Sequence, residues 1–121
     1  MSPFDDLHEI GPRQIWDGVI ARTVEGDRMT LGVVELDPNA HVPEHRHDHE
    51  QLGMVLKGSL RFRIADEQTD LGPGGTWSIA SNTPHEVWVG PEGAVVIDVF
   101  APGREDWREL SQDVAREPFW P

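Results

Sequence analysis

The chain has 121 residues, enough for one domain that buries roughly two-thirds of its unfolded surface around a single core. Its 22 acidic residues against 10 Lys and Arg give a formal charge of −12, which would repel nucleic acid or an anionic membrane, so neither is expected as a partner. It has no cysteine, no apolar run long enough for a bilayer and an acidic start, Met1-Ser2-Pro3-Phe4-Asp5-Asp6, without a secretory core; a cytoplasmic location is expected.

Turn signals punctuate the chain, and short β-like runs lie between them. Strands are predicted near residues 14–23 and 29–36, with Trp16 on the first of them packing against a partner subunit. Asp37-Pro38-Asn39 then makes a turn before a histidine-rich segment. Strands over 51–56 and 59–65 follow, with Lys57-Gly58 as a hairpin turn between them. Leu60-Arg61-Phe62-Arg63-Ile64 alternates apolar and basic, as a strand with one wet face should. Beyond Pro73-Gly74-Gly75 comes a strand over 76–79. Past Asn82-Thr83-Pro84-His85 come strands over 86–89 and 94–100, separated by a Gly90-Pro91-Glu92-Gly93 turn. Runs 86–89 and 95–97 are apolar enough for burial on both faces, and Trp77 and Trp88 are expected to fill core, one of them lining a cavity mouth. The one helix expected covers 104–110, for one or two turns, and the tail 117–121 needs a surface for its Phe119 and Trp120. Many short strands with regular turns predict an all-β barrel or sandwich with a short C-terminal helix.

Chemistry concentrates in Val42-Pro43-Glu44-His45-Arg46-His47-Asp48-His49-Glu50-Gln51 and at His85. Strand side chains alternate, so His45 and His47 on an extended segment would share a face, and Gln51 has the same parity. His85 would come from another hairpin. Three imidazoles and one amide offer four neutral ligands for Ni, Zn, Mn or Fe. The divalent ion would keep its full charge and attract an anionic small molecule, the expected partner. His49 ranks behind Gln51 as an alternative ligand and Glu50 third. His41 and His8 read as loop residues. Asp98 and Phe100 share parity on the last strand, so both can face a barrel interior. Asp98 suits a general acid or base, or else a buried hydrogen-bond partner. Phe100 can offer its face to a sugar ring or simply fill core. Arg104 can clamp a carboxylate, or pair on the surface with Glu105 or Asp106.

These motifs resemble those of cupins, whose fold is a double-stranded β-helix, or jelly-roll barrel. His45-x-His47-x3-Gln51-x6-Gly58 follows the first cupin signature, with Gln51 where Glu is usual and Asn39 where the leading Gly is usual. Gly74-x5-Ala80-x-Asn82-x2-His85 keeps the spacing of the second, with Ala80 and Asn82 replacing Pro and Gly. The resemblance spans about residues 29–100, making residues 1–121 a single cupin domain with a peripheral N-terminal strand and C-terminal tail. The histidine-rich run, with Asp98-Val99-Phe100-x-Pro102-x-Arg104, is similar to KdgF-type cupins of pectin and alginate breakdown. That resemblance implies His45, His47, Gln51 and His85 as metal ligands and Asp98, Phe100 and Arg104 as functional residues. It implies ring opening of 4,5-unsaturated uronates to the linear keto form, and a homodimer. Two rivals are an Fe(II)-dependent dioxygenase using the same cage and a non-catalytic, metal-assisted binder of small acids.

Overall fold

The computed structural model describes residues 2–121. In chain order its strands are β1 (Arg13–Trp16), β2 (Val19–Glu25), β3 (Thr30–Leu36), β4 (His41–His45), β5 (Glu50–Ile64), β6 (Glu67–Leu71), β7 (Thr76–Ile79) and β8 (His85–Ala101). A helical turn, α1, spans Glu105–Arg108, within the stretch expected to be helical. All pairings are antiparallel.

The long strands β5 and β8 run side by side and belong to both walls of the barrel. The first half of β5 and the second half of β8 pair with each other, flanked by β7 and by β3, β2 and β1. Their other halves pair with each other, flanked by β6 and β4. The change of wall occurs where a hairpin turn at Lys57-Gly58 and a turn at residues 90–93 were expected. Lys57-Gly58 lies inside β5 between two register shifts, and Gly90-Pro91-Glu92-Gly93 lies inside β8 without a partner on β5; Gly58 pairs with Ala94 and Leu60 with Val89. The extra residues bend the sheet around a corner without reversing the chain. Gly58 is required there: its φ is +81°, and a Cβ would meet the Gly93 carbonyl oxygen at 2.1 Å. The run expected as one strand over 14–23 is instead a hairpin, β1–β2, turning at Asp17-Gly18, and β6 was not foreseen.

The departures from the signature text keep its backbone. Asn39 and Asn82, at two positions where Gly is usual, both have φ of +60°. Asn reaches the left-handed region more readily than most residues because its short side chain bonds locally. The turns survive the loss of glycine for that reason.

Inward positions of both walls form one core, including Val34, Leu36, Val42, Phe62, Ile79 and Val96. Val95 and Val96 are both buried, as expected for a strand covered on two faces. Val87 and Val89 are buried but Trp88 is not: it lies half-exposed on the outer face, stacked on His41 at 5.6 Å, and is no core filler. His41 is likewise a strand residue of β4, paired with Glu86 at 2.5 Å, and His8 sits in a 3₁₀ turn. The tail finds its surface on the outside of β2 and β3. The Arg116 carbonyl accepts from Arg22, and the Phe119 amide donates to Glu35. Among the described residues no helix is long and apolar enough to cross a membrane.

Candidate metal centre

His45 ends β4 and His85 begins β8, and the two are direct cross-strand partners. Their rings lie 4.2 Å apart, centroid to centroid. His47 reaches the same place by another route than strand alternation. It lies in the segment between β4 and β5, held by its carbonyl, which accepts from Asn82 at 2.7 Å. Its ring is 4.9 Å from that of His85, edge-on. One nitrogen from each of the three histidines falls within 4.8 Å of the others, a group that can hold a metal ion.

Each imidazole is oriented from behind. His45 Nδ1 donates to the Pro43 carbonyl at 2.9 Å, His47 Nδ1 to that of His49 at 3.0 Å, and His85 Nδ1 to that of Thr83 at 2.8 Å. With Nδ1 carrying the proton, Nε2 of each ring presents a lone pair, the arrangement that orients metal-ligating histidines. Burial, reinforced by the Arg104 charge, holds His47 below its ordinary pKa, and burial brings His85 down to about 4. Both are therefore neutral, as ligands must be.

Gln51 supplies the fourth donor. Its Oε1 lies 3.2 Å from His47 Nε2, while its Nε2 donates to Asp98 Oδ1 at 2.9 Å. The reverse amide orientation would set Oε1 against a carboxylate, so the oxygen faces the histidines. Two lone-pair atoms then confront each other, and His85 Nε2 is buried with no hydrogen-bond partner. Unsatisfied buried acceptors are costly, and a shared cation relieves all of them at once. The residues present fit a divalent metal. His49 and Glu50 are not part of the group: His49 packs behind His47, ring to ring at 5.4 Å, and Glu50 is exposed.

The cage opens on a cavity of about 370 Å³ inside the barrel. Asp98 and Phe100 both face it, Val99 pointing away. Asp98 is 6% exposed; besides Gln51, its Oδ1 accepts from Trp77 Nε1 at 2.8 Å. Burial pushes its carboxyl up to about 6, against the lowering effect of those two hydrogen bonds and of Arg104. Arg104 is 8% exposed and lines the cavity, so it is not a surface pair, yet its Nε and Nη2 are engaged by Asp106 at 3.0 and 2.9 Å. Its Nη1 edge remains for a ligand. The guanidinium lies over the Phe100 ring at 4.7 Å and the Trp107 ring at 4.3 Å. Phe100 is almost fully buried and covered on that face by Arg104, so its ring supports the arginine.

Two contributions escaped the sequence reading of the site. Trp16, expected at a partner surface, lines the cavity beside His45 at 5.3 Å. Trp77 fills core as expected but also holds Asp98. Asp106, named with Glu105 as a possible partner of Arg104, is the one that anchors it. The register that brings Trp77 to Asp98 is a property of three paired strands, invisible in any one of them.

The chain is similar to the pectin degradation protein KdgF of Dickeya dadantii (strain 3937), at 30% identity over 78% of this chain and 87% of that one. The solved structure of KdgF from Halomonas sp. superposes with a TM-score of 0.80 at 26% identity, covering 88% of this chain and 98% of the other. An RmlC-like cupin from Shewanella frigidimarina superposes with a TM-score of 0.81 at 21% identity, covering 88% and 96%, a likeness of fold. Residues 32–100 match the cupin domain model, the span that carries the cage and both bulged strands, and the chain belongs to the cupin family.

Proposed function

We propose that this protein opens the ring of a 4,5-unsaturated uronate to its linear keto form, using a divalent metal held by His45, His47, Gln51 and His85. The observation that carries the reading is a buried carboxyl, Asp98, set beside a cage of four neutral donors. The pectin degradation named for the Dickeya relative supports the substrate class. A divalent ion bound there would supply charge to draw in the substrate carboxylate and stabilise negative charge developing on oxygen.

The chain's own residues account for the rest. With its carboxyl at about 6, Asp98 exists in both forms near neutrality and can take and return a proton. It takes the anomeric hydroxyl proton as the bond from C1 to the ring oxygen breaks and C1 becomes a carbonyl. It returns a proton to C4 as the resulting enolate becomes a ketone. No atom is gained or lost. Arg104 offers its free Nη1 edge to the carboxylate, fixed in place by Asp106, Phe100 and Trp107. The apolar walls exclude water and leave Asp98 to serve the substrate. A coupled assay with unsaturated galacturonate, comparing metal-loaded with chelated protein, tests this. Turnover should vanish on chelation, and equal rates in the two samples would refute it.

A further inference from the structure

We infer that Trp77 is a positioning residue for the metal cage, acting through Asp98 and Gln51, and that Gly53 is glycine to let it reach them. This rests on the metal reading of the site but not on the uronate chemistry.

Gly53 of β5 is paired with Trp77 of β7 on one side and with Asp98 of β8 on the other. The three form one row across the sheet, and their side-chain direction is inward. A side chain at the middle position would separate the outer two. A Cβ on Gly53 would stand 2.2 Å from Trp77 Nε1 and 2.4 Å from Asp98 Oδ1. Its backbone is not in the left-handed region, so conformational freedom does not explain the glycine; the space above it does. Through that space the indole N–H crosses the central strand to the carboxylate, at 2.8 Å.

Asp98 Oδ1 then accepts two hydrogen bonds, from Trp77 and from Gln51 Nε2. Gln51 belongs to the neighbouring row, opposite Ile79 and Phe100. Two donors converging on one oxygen stop the carboxylate from rotating. A fixed carboxylate holds the amide nitrogen of Gln51 and so turns its oxygen to the histidines. Outer partners of this kind typically change metal affinity by about 10- to 100-fold. The chain Trp77–Asp98–Gln51 lets a neutral amide serve where orientation cannot come from its own charge.

Two variants test it. Trp77→Phe keeps the ring in the core and deletes the donor; Gly53→Ala keeps every polar group and blocks the crossing. Zn(II) affinity of the chelator-stripped protein, measured by calorimetry, should fall about 10-fold or more in each. Turnover of Zn(II)-saturated Gly53→Ala should show a lower kcat with KM within about twofold, since Gly53, unlike Trp77, does not line the cavity. Asp98→Asn, which retains an oxygen for both donors, should keep most of the Zn(II) affinity. Unchanged affinity in either folded variant would overturn the inference, whether or not the wild type turns over uronates. A wild-type measurement stands apart from folding of the variants. The Trp77 indole N–H should exchange slowly with solvent and shift in the NMR spectrum on Zn(II) binding; free exchange and no shift would overturn the inference equally.

Discussion

Among the described residues two carboxylates are buried, one on each face of the same wall, and they are held differently. Glu35 of β3 is 1% exposed on the outer face, with Arg22 at 3.5 Å and the Phe119 amide donating at 3.0 Å. The tail closes over this pair. Asp98 of β8 is buried on the inner face, and its hydrogen-bond donors are a neutral amide and a neutral indole. Around Asp98, desolvation outweighs the neutral donors and favours the protonated form. The outer pair fastens the tail to the barrel; the inner carboxyl is left near the pH at which it can exchange a proton.

The sharpest way to break this comparison is Asp98→Asn. Turnover should fall by about 100- to 10,000-fold, the usual contribution of a positioned acid or base. Stability at pH 7.5 should not fall, and a rise is expected. A carboxyl moved from 3.8 to about 6 by burial carries a penalty on the order of 3 kcal/mol at neutral pH, which the amide escapes. Paired activity and urea-unfolding measurements decide it; a large loss of stability would mean that Asp98 is structural, like Glu35.

The counterpart is Glu35→Ala. It strands Arg22, which is 3% exposed, and should cost about 3–5 kcal/mol with the metal site untouched. Replacing both, as Arg22→Met with Glu35→Leu, should recover most of that, because two apolar residues leave no charge unpaired. Denaturant titration of the single and double variants checks this.

A smaller effect is read by pH. Asp98 has a folded pKa above its unfolded value, so stability is lost as pH rises from 3.8 through about 6. His85 has a folded pKa of about 4, below its ordinary 6.5, so stability is lost as pH falls from 6.5 towards 4. Between pH 4 and 6 the two slopes oppose. Metal-free Asp98→Asn should therefore lose stability on acidification from pH 6.5 to 4.5 more steeply than wild type, by about 1–2 kcal/mol. Thermal unfolding in chelator across that range reads it directly. The smallest effect is expected at the cavity mouth. Trp16→Ala removes a ring beside His45, and should change KM several-fold, about 1 kcal/mol of contact, with kcat within twofold.

Much of the site was legible because its signals are local. His45, His47 and Gln51 lie within seven residues, and the shared parity of Asp98 and Phe100 followed from strand alternation alone. Even here the cause differed for His47, which turns inward through a bend and not along a strand. Arg104 read as a surface pair or a substrate clamp; the structure bonds it to Asp106, but in the cavity wall and not on the surface. The two glycine-rich turns were misread because a bulge and a hairpin draw on the same residues. Only the partner strand distinguishes a chain that bends from one that reverses.

What the sequence determined by itself was the alternation that makes strands, the neutral ligand set and the absence of thiol chemistry. Those depend on residue type and short spacing. Only the tertiary structure decided that His85 meets His45 across a strand pair, that Trp77 passes over Gly53 to Asp98, and that the tail seals Glu35 against Arg22. Each of these joins residues far apart in the chain. They are set by register between strands, which one strand's own pattern does not specify.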